Sequence, residues 1–350
     1  MTHAVKLLKS WFPHLASPII FSAPMRPFAS DALSIAVSRA QGLGFIGAGY
    51  NVSNIESLLS SVSNSFKKTP IPTSGSKILP IGVGALPFGV DDSEFDNFIS
   101  VLQKYTPAAV WLFAAKDSQQ LQYWVDTLRA KVPDTKIAIQ VGTVSDALAV
   151  YDLVDILILQ GSDAGGHGLA RSSGITSFIP ETIFHLGKKY GTELKPIIAA
   201  GGISSGSGIV SALALGTHGV VLGTKFLVAE ETNAPPEYKQ KLASITDGGR
   251  VTVRARVFDD LLNTSNWPDT YDGRAYLNLS YLEYLNGASV DSLKEKLKVA
   301  DRTKDYDRKV FWVGSSIGLA NEIKPAAEIL DELRKEVNQA FKRLNIVYSS

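Results

Sequence analysis

Before residue 224 eight short apolar runs alternate with stretches of helical spacing, and this alternation limits the fold more than any single motif. The runs are 18–23 (PIIFSA), 43–47 (LGFIG), 78–83 (ILPIGV), 109–113 (AVWLF), 136–141 (KIAIQV), 156–159 (ILIL), 196–200 (PIIAA) and 219–223 (GVVLG). Runs so short and so apolar suit strands buried on both faces, as in a parallel sheet. Helices are expected over 29–41, 53–64, 92–104, 118–131, 144–151, 180–190 and 204–215. Ser53 or Asn54, Asp117 with Gln120 at capping-box spacing, and Ser204 stand where caps belong. Residues 69–76, rich in Pro, Ser and Gly, read as a loop. Eight βα units at about thirty residues each give the count of a (β/α)8 TIM barrel. A doubly wound sheet is the alternative, but the early Gly-rich nucleotide turn that usually marks one is missing.

The alternation stops after Gly223. Residues 230–309 are richer in Asp, Asn, Tyr and Arg, with several weak helices and the loop Asn266-Trp267-Pro268-Asp269-Thr270. Residues 322–344 read as a long amphipathic helix, suited to be the last barrel helix. The expected organisation is a barrel over 1–229 and 310–350, with a small helical and irregular insertion over 230–309. That insertion would cover the C-terminal ends of the strands, the face where barrels keep their active sites. With 350 residues and 45% hydrophobic content, the chain can bury a core of that size.

Composition removes several classes of function. Lys and Arg number 35 against 34 Asp and Glu, so nothing favours nucleic acid or an anionic membrane as partner. The chain has no Cys, hence no disulfide and no thiolate chemistry. No apolar run reaches transmembrane length. Residues 1–15 place Lys6 and Lys9 among Leu7, Leu8, Trp11 and Phe12, which reads as an amphipathic helix closing the bottom of the barrel. A mitochondrial transit peptide is the alternative for that stretch, but it holds no Arg; the expected location is the cytoplasm.

Two glycine clusters fall where barrels hold phosphate. Ala200-Gly201-Gly202-Ile203-Ser204 follows the seventh strand and Gly223-Thr224 the eighth. Glycine lets backbone amides come close to an anion, and Thr224 adds a hydroxyl. The sixth run continues into Gln160-Gly-Ser-Asp163-Ala-Gly165-Gly166-His167-Gly168, read as a Gly-rich loop at the mouth. His167 there can act as a base near neutral pH or bind substrate; a structural histidine bonded to a carbonyl is the other reading. Asp163 can orient His167, or cap the amides of its own loop. Gln140 and Gln160 end the fifth and sixth strands and can set amides over a ring held at the mouth. Ala23-Pro24-Met25 ends the first strand, and Met25, the one Met besides the initiator, suits either an aromatic ring or plain packing. His185 and His218 are expected to be structural, and His3 and His14 solvated. Arg250, Arg254 and Arg274 could meet an anion or form surface salt bridges, while Trp267, Tyr271 and Tyr276 are read as packing residues. No spacing suggests a metal site.

Taken together, Ala23-Pro24-Met25, residues 160–167, Ala199-Ala-Gly-Gly-Ile203 and Leu222-Gly-Thr-Lys-Phe226 resemble the nitronate monooxygenases, formerly 2-nitropropane dioxygenases. Asp247-Gly-Gly-Arg250 through Arg254, Trp267-Pro268, Tyr271 and Arg274 resemble the fungal-type members, and residues 314–322 fit their last barrel helix. The resemblance spans nearly the whole chain. It implies a TIM barrel holding FMN non-covalently, with phosphate on Gly201, Gly202, Gly223 and Thr224. It also implies that residues 23–25 line the flavin, joined there by Gln140, Gln160, Gly165, Gly166 and Ala200, and that His167 is the base or the substrate-binding group. Asp163 stands where the family usually has Glu, and Gly84 where an Asn commonly reaches the flavin.

The activity implied is oxidation of alkyl nitronates, propionate 3-nitronate among the candidates, by O₂ to carbonyl compounds and nitrite. The alternatives are an FMN-dependent NAD(P)H:quinone or enoyl-thioester reductase, and a flavin- or phosphate-ligand-binding protein without turnover. A homodimer is compatible with either.

Overall fold

Eight parallel strands form the main sheet in the computed structural model, which describes residues 2–50, 52–75 and 77–349. Met1, at the head of the N-terminal stretch, and Ser76, at the end of the expected 69–76 loop, lie outside the described residues. In chain order the strands are β1 (Ile20–Ser22), β2 (Phe45–Gly49), β3 (Leu79–Ala85), β4 (Pro107–Leu112), β5 (Lys136–Val141), β6 (Ile156–Gln160), then β8 (Ile197–Ala200) and β9 (Gly219–Leu222). A short strand, β7 (Gly166–Leu169), intervenes and belongs to a second sheet. Neighbours in the main sheet follow chain order, and β9 pairs with β1. The remaining gap is bridged where Ser22 N donates to the Leu43 carbonyl and Leu43 N to the Ile20 carbonyl, both at 3.0 Å, so the barrel all but closes.

Helices α1 (His3–Trp11), α2 (Asp31–Arg39), α3 (Ile55–Lys68), α4 (Asp92–Tyr105), α5 (Ser118–Lys131), α6 (Val144–Val150), α7 (Ile175–Tyr190) and α8 (Gly206–Ala214) occupy the first part of the chain. After β9 come α9 (Thr224–Leu227), α10 (Pro236–Ala243), α11 (Gly248–Val251), α12 (Val257–Leu262), α13 (Leu279–Leu285) and α14 (Val290–Thr303); α15 (Ala326–Ser349) then returns to the barrel wall. There Arg334 donates to the Ala40 carbonyl at 2.9 Å, and Glu336 accepts from Gly206 N at 2.6 Å, tying α15 to the ends of α2 and α8.

Side chains alternate along each strand, and this two-residue period decides what faces the barrel axis. Ile156 and Ile158 join the inner cluster with Ala109, Trp111, Ala138, Ile198, Ala200 and Val221, while Leu157 and Leu159 join the outer layer beneath the helices. The next inward positions, Gln140 and Gln160, therefore fall at the mouth. Below them an aromatic column runs from Trp111 through Phe45 and Phe21 to Phe12, with centroids 5.3, 5.8 and 6.3 Å apart. A Cβ on Gly82 would lie 2.2 Å from the Phe45 ring, so glycine makes room for that column. Leu8 of α1 and the adjoining Phe12 and Leu15 are buried in the same cluster and close the bottom of the barrel.

Several local expectations need correction. Helix α7 starts at Ile175, ahead of Pro180, because a proline inside a helix removes one donor and weakens a turn without necessarily ending it. Ser205 caps α8, its hydroxyl accepting from Gly208 N, whereas Ser204 pairs with the Ser316 hydroxyl at 2.7 Å. Asp117 caps α5, but the Gln120 side chain accepts from Lys116 N, so only half of a capping box forms. Residues 314–322 are a loop with one 3-10 turn at Ile317–Leu319, and the last barrel helix begins only at Ala326. His14 is buried, 6% exposed, with Nε2 3.1 Å from the Gly42 carbonyl, because the chain leaving α1 turns in beneath the barrel. His3 is exposed, and His218 accepts from Ile197 N at 3.1 Å in a structural role.

The segment after β9 is more ordered than weak helices suggest. Strands β10 (Thr252–Ala255) and β11 (Tyr271–Tyr276) pair antiparallel, and β11 pairs in turn with β7. The stretch carrying His167 is thus an edge strand rather than a free loop. Its period cannot reveal this, since three of the residues from 165 to 168 are glycines and have no side chain to alternate.

Candidate active site

The glycines, the two glutamines, residues 23–25 and His167 converge. Residues 23–25, 140, 160, 165–167, 200–202, 223 and 224 line one cavity of about 520 Å³ at the C-terminal ends of the strands. Arg26 and His167 are the basic side chains in its wall, and no carboxylate lines it among the described residues. The cavity therefore suits an anion.

At one end the backbone after β8 is shaped by glycine. Gly201 and Gly202 sit at φ +104° and +74°, left-handed values that other residues rarely adopt. A Cβ on Gly201 would meet the Gly161 carbonyl at 2.7 Å, and one on Gly202 the Asp163 side chain at 2.9 Å. The Thr224 hydroxyl accepts from Gly314 N at 3.0 Å and keeps its own proton to donate. Lys225 turns away, donating to the Leu319 carbonyl at 2.6 Å, so this end depends on amides and a hydroxyl rather than a cation. Met25 Sδ lies 3.6 Å from where a Gly223 Cβ would stand, which brings the ends of β1 and β9 together under the cavity. Gly84 faces Pro24: a Cβ there would come within 2.3 Å of the Pro24 ring, so proline takes the space an Asn side chain would need.

At the inner wall, Trp111 donates its indole N–H to Gln140 Oε1 at 3.1 Å. Gln140 Nε2 is buried with no partner among the described residues. Such a donor costs free energy unless a ligand satisfies it. Gln160 donates to the His167 carbonyl at 3.2 Å, tying β6 to β7.

His167 is held from three sides. Its Nε2 lies 2.8 Å from Asp259 Oδ1 on α12. Its ring stacks on Trp267 at 3.9 Å and 6°, and Trp312 packs at 4.6 Å and 48°. Across the β7–β11 pair His167 faces Gly273, where a Cβ would strike the Trp312 ring at 2.1 Å; glycine there lets Trp312 approach. Asp163 does not hold His167. Its carboxylate accepts from the Ser315 hydroxyl and its carbonyl from Ser315 N, both at 3.0 Å, which fastens the 314–316 loop rather than its own.

None of the three arginines considered for an anion lines the cavity. Arg254 pairs with Asp272 and donates to the Gly168 carbonyl, Arg274 donates to the Ser162 carbonyl, and Arg250 is exposed. Tyr271 packs edge-on against Phe113 at 5.3 Å, and burial pushes its phenol up to about 12, so it stays neutral. Tyr276 packs on Phe311. Trp267 is more than packing, since it lines the cavity and covers the imidazole.

Sequence reasoning missed Arg26, Tyr50, Phe113, Leu262, Thr264, Trp312 and Ser316 in the cavity wall, and Asp259 behind it. For Trp312 a signal existed: the apolar run 310–313 ends in Gly-Ser-Ser, as strand-end loops do. For Asp259 there was none, as it is one of two adjacent acids in a weak helix. No group of residues that could hold a metal occurs among the described residues, and no described helix is long and apolar enough to cross a membrane.

Comparison with known proteins places these features in context. A profile of the nitronate monooxygenase family matches residues 85–336. A nitronate monooxygenase of Neurospora crassa is 34% identical, the match covering 97% of this chain and 94% of that protein. The nitronate monooxygenase npaC of Metarhizium robertsii is also 34% identical, over 93% of this chain and 92% of its own. Among solved structures, FabK from Thermotoga maritima superposes with a TM-score of 0.72 at 25% identity, covering 97% of this chain and 98% of that one.

Proposed function

The chain belongs to the nitronate monooxygenase family of flavin-dependent oxidoreductases, and from that premise we propose that it holds FMN non-covalently and oxidises alkyl nitronates with O₂ to carbonyl compounds and nitrite. The observation that carries this reading is the convergence of two glycine turns and His167 on one cavity whose wall, among the described residues, holds no carboxylate. Propionate 3-nitronate and simple alkyl nitronates both fall in the proposed substrate class. One oxygen atom is added per nitronate, so two nitronates and one O₂ balance to two carbonyl compounds and two nitrites.

The residues present fit the cofactor. A volume of about 520 Å³ lies in the range of cofactor sites, and its wall is mostly apolar with few polar groups. The amides of Gly201, Gly202 and Gly223 with the Thr224 hydroxyl would hold the phosphate. The unpaired Gln140 Nε2 would donate to a heteroatom of the ring, and Pro24, Met25 and Ala200 would pack against its apolar parts. The flavin supplies the two-electron redox chemistry and the reaction with oxygen.

The protein's own part is binding and orientation. His167 meets the nitro end of the substrate, or takes a proton from carbon when a neutral nitroalkane enters. Trp267 and Trp312 confine the imidazole and keep water from that side. We further propose that residues 230–309 act as the cover, since Leu262, Thr264 and Trp267 reach the cavity from there.

A flavin absorbance spectrum on the purified protein and turnover of ethyl nitronate in air test the reading. His167→Asn is expected to lower kcat/KM for ethyl nitronate by about 10²-fold or more. Undiminished turnover would remove His167 from the mechanism, and a colourless protein that takes up no FMN would overturn the whole reading. Anaerobic mixing with NADH or NADPH is expected to leave the flavin oxidised; rapid bleaching would favour a reductase.

A further inference from the structure

A nitronate has already lost its carbon proton, so it needs a hydrogen-bond donor with positive character, not a base. His167 has two ring nitrogens, and Nε2 is committed to Asp259 at 2.8 Å. Nδ1 is therefore the nitrogen left for a ligand.

Asp259 is 2% exposed, and its Oδ1 also accepts from the Thr264 hydroxyl at 2.9 Å. No Lys or Arg pairs with it among the described residues. A carboxylate taken out of water without a fixed cation needs hydrogen-bond donors, so the Nε2–H of His167 points to it. The charged groups on the surrounding elements are already engaged. Arg254 on β10 pairs with Asp272 on β11, Arg274 donates to the Ser162 carbonyl, and Asp260 on α12 accepts from the Ser265 hydroxyl. None of them competes for the ring. The stacked Trp267 sets the plane of the imidazole, leaving Asp259 to set its rotation within that plane.

We propose that Asp259 is the positioning residue of this site: it holds Nε2 so that His167 presents Nδ1–H to the nitro oxygens of the substrate as an imidazolium. This inference rests on the nitronate reading. It explains why the segment after β9 must fold onto β7 for the site to be complete, since the partner of His167 lies 92 residues along the chain.

Nitrate, a planar anion with three oxygens, serves as the probe for the FMN-loaded enzyme. Asp259→Asn keeps the shape and removes the charge. It is expected to raise the Kd for nitrate and lower kcat/KM for ethyl nitronate, each by roughly tenfold or more, with the flavin spectrum unchanged. Asp260→Asn, next to it on α12, is the control and is expected to change neither. Nitrogen-15 NMR of histidine-labelled protein, with His167 assigned through His167→Asn, gives a readout independent of turnover. In the wild-type nitrate complex both ring nitrogens of His167 should carry protons, and in Asp259→Asn that signal should change.

An unprotonated Nδ1 or Nε2 in the wild-type complex would overturn the proposal, whether or not the variant folds. So would identical nitrate affinity and identical His167 signals in wild type and Asp259→Asn. If the wild-type enzyme oxidises no nitronate, the functional reading fails separately, and the NMR result still decides the role of Asp259.

Discussion

Glycine positions are where single residues are most exposed to test. Gly202 combines φ +74° with a 2.9 Å approach to the Asp163 side chain. Gly202→Ala must shift the backbone proposed to hold the phosphate, at a cost of about 1–2 kcal/mol for the left-handed conformation alone. The variant is expected to lose FMN on gel filtration while the wild type retains it; full retention would remove the phosphate role from this turn. His14 offers a second test. Burial holds it down to about 4 from 6.5, against the opposing pull of the Gly42 and Pro72 carbonyls. The unfolded chain therefore takes up this proton first as pH falls. Above 6.5 neither state is protonated and stability is unaffected. Between 6.5 and about 4 stability drops, by on the order of 3 kcal/mol in all. Thermal denaturation from pH 7 to 4.5 should show a shallower fall for His14→Gln, and parallel curves would refute the assignment. Inward-facing Gln140, Gln160 and the glycines were legible because strand periodicity fixes their direction locally. His14 was not, since its burial depends on where α1 docks.

At the scale of elements, the three-stranded sheet of β7, β11 and β10 connects the segment after β9 to His167. Arg254 is its main polar tie, pairing with Asp272 through Nε at 2.7 Å and donating to the Gly168 carbonyl at 3.1 Å. Arg254→Met leaves a partly buried carboxylate and a strand carbonyl without partners. Removing one member of such a pair is costly, so KM for ethyl nitronate should rise while the flavin spectrum is retained. Steady-state kinetics with the spectrum as reference checks this, and unchanged KM would show that β7 holds its place without the tie. The barrel strands were readable because each is an uninterrupted apolar run between polar breaks. β7 was not, because Gly166-His167-Gly168 has no alternation to read and gains its order only from Tyr271–Tyr276 far along the chain.

For the whole molecule, cofactor and fold should be linked. A ligand bound by the folded state alone stabilises it by RT ln(1 + [L]/Kd), about 2.7 kcal/mol at a hundred times Kd. The melting temperature should therefore rise with added FMN and level off only slowly, and a Tm indifferent to FMN would count against the cavity as its site. Amino-acid order alone settles the eight strands, the glycine turn after β8, and the place of His167 at the mouth, because those depend on local periodicity and, at Gly201 and Gly202, on backbone conformations only glycine takes easily. Which groups touch His167 is decided only by the folded chain. Asp259, Trp267 and Trp312 come from separate segments, and their meeting depends on how the segment after β9 packs over the barrel. The pattern of any one segment does not encode that packing.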